Sequence, residues 1–414
     1  MYISALALLA SAPTSSPGVH SLHLKSHTVH SPPRSRIHAL LTNGSSIPAG
    51  GAIWPTAIYW SFVEVGTPPV SFPVAIDSGS GDLDISGAGC DGCVTTPPNK
   101  AFSADASSTS SAAFPYTFSN SYQTCDLKDP TAPCTISGKL YKDQVSLAGA
   151  GPVSVKFGSI TRQTTNFDQF KEIDGVMGFT MGGDENVFSQ LVAAGKVENV
   201  WALCMKAGSK SNGTLTIGGV DPRLVDGAVQ YVPDAGRGFH SVSVKSLSVG
   251  GGANSSVASI DVGEAAILDT GTNVLLLPSK LMKALQAAMC ADASLAQCKA
   301  LWANECVSLT DAEVAAYPPL SLQLDAGVSL RMSSADYLLL GSPLATKAGQ
   351  YCLGIRDGGH AGGSGFIIGD TTMRNYYLVF DLAEGRIGWG NVSTTGCGSV
   401  GEGKIEEPPL VELS

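Results

Sequence analysis

The chain has 414 residues, enough for two separately packed halves, and 43% of them are hydrophobic against 14% charged. A net charge of −10, from 35 acidic and 25 basic residues, repels phosphate and argues against a nucleic-acid partner. The 48 glycines and the recurrent short apolar runs argue against a helical bundle and for β structure rich in turns.

The first residues, 1–12, read as a signal peptide. An apolar stretch from Ile3 to Ala10 leads into Ala10-Ser11-Ala12, a small-residue cleavage pattern. No other run approaches the length needed to span a bilayer, so no membrane anchor is expected. Residues 13–55 are polar and rich in Pro and Ser, and they hold His20, His23, His27, His30 and His38. No Cys or acidic residue accompanies these histidines, so they do not read as a metal site. No metal or other cofactor is expected anywhere in the chain. Residues 1–50 contain Lys25, Arg34 and Arg36 and no Asp or Glu, a charge of +3 that leaves −13 on the remainder. A basic leader on an acidic body suggests an electrostatic latch within one chain. A merely disordered leader is the plainer alternative.

Beyond the leader, runs such as Val153-Ser154-Val155-Lys156-Phe157 and Ser241-Val242-Ser243-Val244 predict strands. Helices are predicted at Val187 to Ala194 and at Ser279 to Met289. One phrase occurs twice. Ala75-Ile76-Asp77-Ser78-Gly79-Ser80 is echoed by Ile267-Leu268-Asp269-Thr270-Gly271-Thr272. Val176-Met177-Gly178 places its Gly 101 residues after Asp77, and Ile367-Ile368-Gly369 places its Gly 100 residues after Asp269. A doubled element with matched spacing implies two related lobes, each presenting one Asp on a tight turn. Two such carboxyls facing each other form an acid–base pair able to activate water.

Ten Cys read as five disulfides in an oxidising compartment. The sequons at Asn43, Asn212, Asn254 and Asn391 support a secretory route. Cys90–Cys93, Cys125–Cys134 and Cys290–Cys298 would close short local loops. A tail is expected over 397–414, and its stretch Gly401 to Ser414 is acidic, contains Pro and reads as disordered.

Further residues carry a family resemblance. Tyr59 through Gly66-Thr67-Pro68-Pro69, the two Asp motifs, Ile173-Asp174-Gly175-Val176-Met177-Gly178, Phe366-Ile367-Ile368-Gly369-Asp370 and Asn375-Tyr376-Tyr377-Leu378-Val379-Phe380-Asp381 occur in order. With them, residues 56 to 395 resemble the pepsin-like aspartic proteases. The resemblance implies an all-β, bilobal acid-protease fold with a central cleft. It implies an N-terminal lobe over 56–220, a C-terminal lobe over 221–396, and a propeptide over 13–55 that inhibits its own enzyme. It further implies an endopeptidase acting on protein or peptide substrates at acid pH, a monomer that is secreted or endolysosomal or vacuolar. Asp77 and Asp269 would be catalytic, and Gly79 and Gly271 would permit the tight turns. Ser78 and Thr270 would bond across the lobes, and Ser80 and Thr272 would donate to the carboxylates. Cys306–Cys352 and Cys204–Cys397 follow from the resemblance as well. Tyr122 is the candidate for the family's flap Tyr, with Tyr116 competing, and Asp370 is read as supporting.

Two positions depart from the pattern. Tyr122-Gln123 stands where the family has Tyr-Gly, before a longer interval bracketed by Cys125 and Cys134. Asp84 stands where the family has a Trp that supports the flap Tyr. These departures keep open a second reading, a catalytically inactive binding protein of the same fold.

Overall fold

The computed structural model describes residues 44–52, 58–94, 99–122, 134–164, 173–181, 186–205, 213–236, 238–250, 258–342, 344–359 and 365–397. The expected signal peptide, the leader up to residue 43 with its five histidines, Asn43, Cys125, Asn212, Asn254 and the tail beyond Cys397 lie outside them.

The first half supplies β1 (Ser45–Ala52), β2 (Ile58–Val65), β3 (Val70–Asp77), β4 (Leu83–Asp91), β5 (Ser111–Tyr122), β6 (Cys134–Leu147), β7 (Ala150–Gln163), β8 (Gly175–Gly178), β9 (Val200–Met205) and β10 (Gly213–Ile217). The second half supplies β11 (Val225–Pro233), β12 (Ser241–Val249), β13 (Ala258–Leu268), β14 (Leu275–Leu277), β15 (Val307–Ser308), β16 (Leu320–Leu324) and β17 (Ser329–Met332). It continues with β18 (Leu338–Leu340), β19 (Gln350–Leu353), β20 (Ile355–Asp357), β21 (Ile367–Ile368), β22 (Tyr376–Asp381) and β23 (Arg386–Val392).

Among the described residues the strands form three sheets. The largest runs β11-β23-β22-β9-β10-β1-β2-β3-β8-β4-β7-β6-β5, the second β17-β16-β12-β13-β21-β14-β20, and the third β15-β19-β18. The architecture is the all-β, pepsin-like one that the resemblance implies. Strand composition follows position. β6 alternates buried and part-exposed residues over much of its length, as a strand with one wet face must. β9, Val-Trp-Ala-Leu-Cys-Met, is buried at all six positions because it lies mid-sheet with both faces covered. The ring of Trp201 on β9 stacks on Phe380 of β22 with centroids 3.8 Å apart. β11, β22 and β23, all beyond the expected boundary at 220/221, pair into the sheet that holds β9 and β10.

The leader expected over 13–55 ends inside the fold. Its segment β1 pairs with β10 from Ser45 to Ala49 and with β2 from Gly50 to Ala52. Little apolar content marks this strand; its place is fixed by backbone ladders on both sides. Cys397, the first residue of the expected tail, is buried and bonded to Cys204 of β9. Cys90–Cys93, Cys290–Cys298 and Cys306–Cys352 are also bonded. Cys134 is in a disulfide too, while its expected partner Cys125 lies outside the described residues. Asn391 is exposed on β23.

The helix Ser279–Met289 buries Leu281, Met282, Leu285 and Met289, one helical face. The helix Val187–Ala193 is capped by Asn186, whose side chain accepts from Ser189 N at 2.7 Å. Among the described residues no helix is long and apolar enough to cross a membrane.

Candidate active site

The two halves of the doubled motif fold alike. β3 delivers Asp77 and pairs in parallel with β8, which carries Val176-Met177-Gly178. β13 delivers Asp269 and pairs in parallel with β21, which carries Ile367-Ile368. Each apolar pair thus supports the strand behind its Asp, which explains the matched spacing. Asp77 and Asp269 are both 0% exposed.

A symmetric lock joins the two loops. Ser78 N donates to Thr270 Oγ1 and Thr270 N donates to Ser78 Oγ, each at 3.0 Å. Ser78 Oγ donates onward to Leu268 O at 2.8 Å, and Thr270 Oγ1 to Ile76 O at 2.7 Å. Four buried bonds, each side chain acting as donor and acceptor, leave little freedom between the loops.

The glycines serve a different end from the one the sequence suggests. Neither Gly79 nor Gly271 has a positive φ. A Cβ on Gly79 would lie 2.6 Å from Cγ and Oδ1 of Asp269, and one on Gly271 would lie 2.7 Å from Asp77 Oδ1. These positions lack side chains because each backbone abuts the opposite carboxyl.

The pair is symmetric in placement and asymmetric in partners. Gly79 N donates to Asp77 Oδ1, and Gly271 N to Asp269 Oδ1, each at 2.8 Å. Thr272 Oγ1 donates to Asp269 Oδ2 at 2.7 Å. Ser80, expected to do the same for Asp77, does not match it. Its hydroxyl lies close enough to favour the charged form of Asp77, but among the described residues neither it nor Asp77 Oδ2 has a hydrogen-bond partner of ordinary geometry. Burial, then the charge of Asp269, holds the Asp77 carboxyl well above the usual carboxylate range.

Asp370 sits one layer back. Its N–H donates to Thr272 O at 2.8 Å, and the Thr371 N–H and hydroxyl both donate to Asn273 O. The carboxyl is buried, and among the described residues neither oxygen has a hydrogen-bond partner. Burial and then the Asp269 charge push it upward, and the Arg374 guanidinium opposes them.

On the other side, β5 brings Asn120 and Tyr122 over the strand that follows Asp77. Tyr122 is buried, packed with Ile58, Ala75, Ile136, Ile160 and Val176. Ala75 lies two residues before Asp77 on the same strand face and pairs with Val176. Burial, then Asp84, Asp77 and Asp82, raise the Tyr122 hydroxyl far above its ordinary value. Tyr116, the competing candidate, is exposed. The departure at Asp84 has a partner that the sequence reading missed. Asn120 Nδ2 donates to Asp84 Oδ2 at 2.9 Å and reaches Asp82 Oδ2 at 3.5 Å. Asn120 shares a face with Tyr122 at the two-residue strand period, a signal that could have found it.

Asp84 is buried, and burial followed by the neighbouring Asp82 raises it well above the usual range despite Asn120. Asp77, Asp84 and Asp370 are therefore raised acids. Their favourable contribution is present when protonated and is lost as pH rises through their elevated values. Asp84→Asn keeps an acceptor for Asn120 and removes one of these charges. The variant should lose less Tm than wild type between about pH 4 and about pH 7. An equal loss in both would show that Asp84 ionisation does not limit stability.

Among the described residues no group of three or more His, Cys, Asp or Glu is placed to hold a metal ion. A family model described as eukaryotic aspartyl protease matches residues 58–392. Pepsin A of Suncus murinus is 25% identical over 336 residues, 80% of each chain. Aspartic proteinase 36 of Arabidopsis thaliana is 26% identical over 384 residues, 85% of this chain and 78% of the relative. Cathepsin E of Rattus norvegicus is 28% identical over 360 residues, 80% of this chain and 79% of the relative.

Proposed function

The chain belongs to the eukaryotic aspartyl protease family, and from that premise we propose that it is an endopeptidase that cleaves protein or peptide substrates at acid pH. The observation that carries this reading is the buried pair Asp77 and Asp269, locked by Ser78 and Thr270 with one carboxylate oxygen open. Two close buried carboxyls cannot both ionise cheaply, so they share one proton over an acid range.

The partners assign the roles. Asp269 accepts from both Gly271 N and Thr272 Oγ1, which favours its charged form. Asp77 is the raised member, and in this reading its Oδ2 carries the shared proton. Water held between the carboxyls gives a proton to Asp269 as its oxygen attacks the peptide carbonyl carbon. The proton on Asp77 hydrogen-bonds the developing oxyanion. The tetrahedral intermediate collapses as the amide nitrogen takes the proton from Asp269 and the C–N bond breaks. No covalent intermediate with the enzyme is formed.

The test is incubation with a denatured protein at acid pH, with and without a transition-state analogue directed at aspartic proteases. Cleavage that the analogue blocks supports the reading. No cleavage supports the inactive binding protein instead.

The stretch expected over 13–55, of which β1 stays paired in the sheet, serves in this reading as a propeptide, on a chain that enters the secretory route and reaches the outside or an acidic compartment. Its charge is opposite to that of the body, so it should inhibit near neutral pH and release where the carboxylates protonate. Leader cleavage and activity are followed together against pH, in wild type and in a variant with all five leader histidines changed to Gln. Activation near neutral pH in both would rule out an electrostatic latch.

A further inference from the structure

His240 is 0% exposed, and the mechanism above does not use it. It stands just before β12, walled by Trp201 and Phe380, whose ring centroids lie 6.1 and 4.8 Å from its own. Its contacts join the backbones behind the two candidate catalytic residues. Phe179 N donates to Asp77 O at 2.8 Å. His240 Nε2 lies 3.0 Å from Phe179 O. Leu268 N donates to His240 O at 2.8 Å, and Leu268 immediately precedes Asp269. A continuous strap therefore runs from the Asp77 carbonyl, through Phe179 and His240, to the residue before Asp269. Thr180 Oγ1, donating to Gly238 O at 2.8 Å, reinforces it.

The protons on the ring follow from its partners. A carbonyl oxygen only accepts, so Nε2 donates to Phe179. Nδ1 lies 3.1 Å from Asp234 Oδ2, while Asp234 Oδ1 accepts from Gly236 N and Ser241 N at 3.0 Å each. Burial would raise the Asp234 carboxyl, but the hydrogen bonds from His240, Ser241 and Gly236 outweigh it and hold it below its ordinary value. The ring thus bridges the Asp234 carboxyl at Nδ1 and the Phe179 carbonyl at Nε2. Trp201, Phe380, Phe179 and Leu268 bring no charge to the ring. Asp234 is its one ionisable hydrogen-bond partner among the described residues, and Arg237 of the same turn lies outside them.

We propose that His240, held between Asp234 and Phe179, is a positioning residue that ties the Asp77 loop to the Asp269 loop and fixes the alignment of their carboxyls. The proposal rests on the reading that this pair is catalytic. The ring holds the strap at two points, the Asp234 carboxyl and the Phe179 carbonyl, and losing either frees one end of it.

The test compares the full chain with His240→Phe and His240→Gln. The first keeps a ring without donors; the second keeps one amide donor. Kinetics on a peptide substrate at acid pH are read alongside amide exchange at Phe179 and Leu268, with Leu322 of β16 as internal reference. In His240→Phe, kcat is expected to fall about 10- to 100-fold with KM changed less than about twofold. In His240→Phe, protection at Phe179 and Leu268 should fall together, relative to Leu322, below its wild-type level. In His240→Gln, whose one amide cannot serve both partners, the fall should be smaller. Wild-type protection at both amides in either folded variant, or an unchanged kcat in a folded His240→Phe, would overturn the proposal. Should His240→Phe fail to fold, exchange in His240→Gln decides. A wild type without proteolysis would defeat the catalytic reading by itself, and exchange would still decide the strap.

Discussion

Asp77→Asn and Asp269→Asn are each expected to cut acid proteolysis by about 1,000-fold or more while the fold stays intact. The pair acts as one proton-sharing unit, so either loss should cost nearly what the double loss costs. Asn at position 77 keeps an oxygen for Gly79 N and the lock through Ser78, but it cannot hold the shared proton. Asn at position 269 keeps acceptors for Gly271 N but cannot take a proton from water. Both changes remove a buried charge, so neither variant should unfold more easily than wild type near neutral pH. Initial rates on a peptide substrate, with thermal unfolding as the control for folding, check this. A single variant that keeps a tenth or more of the activity would remove that Asp from the mechanism.

Gly79→Ala and Gly271→Ala should be nearly as damaging, for a steric reason. The new methyl in Gly79→Ala would sit 2.6 Å from the Asp269 carboxyl carbon, and that in Gly271→Ala 2.7 Å from Asp77 Oδ1. A carbon there cannot coexist with the opposite carboxylate, and the Ser78–Thr270 lock prevents the loops from parting. The carboxyls must turn out of register instead. We expect kcat to fall about 100-fold or more, with about 1–3 kcal/mol lost in stability from overpacking. Steady-state kinetics and denaturant unfolding measure the two effects. Kinetics near wild type in either Ala variant would show that the carboxyls do not lie where the hydrogen bonds of Gly79 and Gly271 put them.

Much of this site could be read from residue order. The doubled Asp phrase and the trailing apolar-apolar-Gly segments mark strands that pair within each half, so their spacing carries the fold's repeat. Ser78 and Thr270 are legible because a short hydroxyl beside a turn has few other uses in a buried loop. What escaped notice depends on distant partners. Nothing local in β1 announces a strand, because its ladders are with β10 and β2. Nothing near Asp84 points to Asn120, since the pairing arises only when β5 folds over β4. The reason for Gly79 is likewise remote: its crowding comes from Asp269. Short helices such as Asp311–Ala316 and Asp370–Met373 hold too few turns to show a period. His240 looked unremarkable because its meaning comes from Phe179 and Asp234, and only the folded chain sets one on each side of the ring.

The central claim is that two carboxyls sharing one proton activate water, and the pH dependence of kcat/KM on a single peptide substrate tests it most directly. The predicted profile is a bell within the acid range, one limb for ionising the base and one for losing the shared proton. A profile that rises as a single step toward neutral pH would contradict the account.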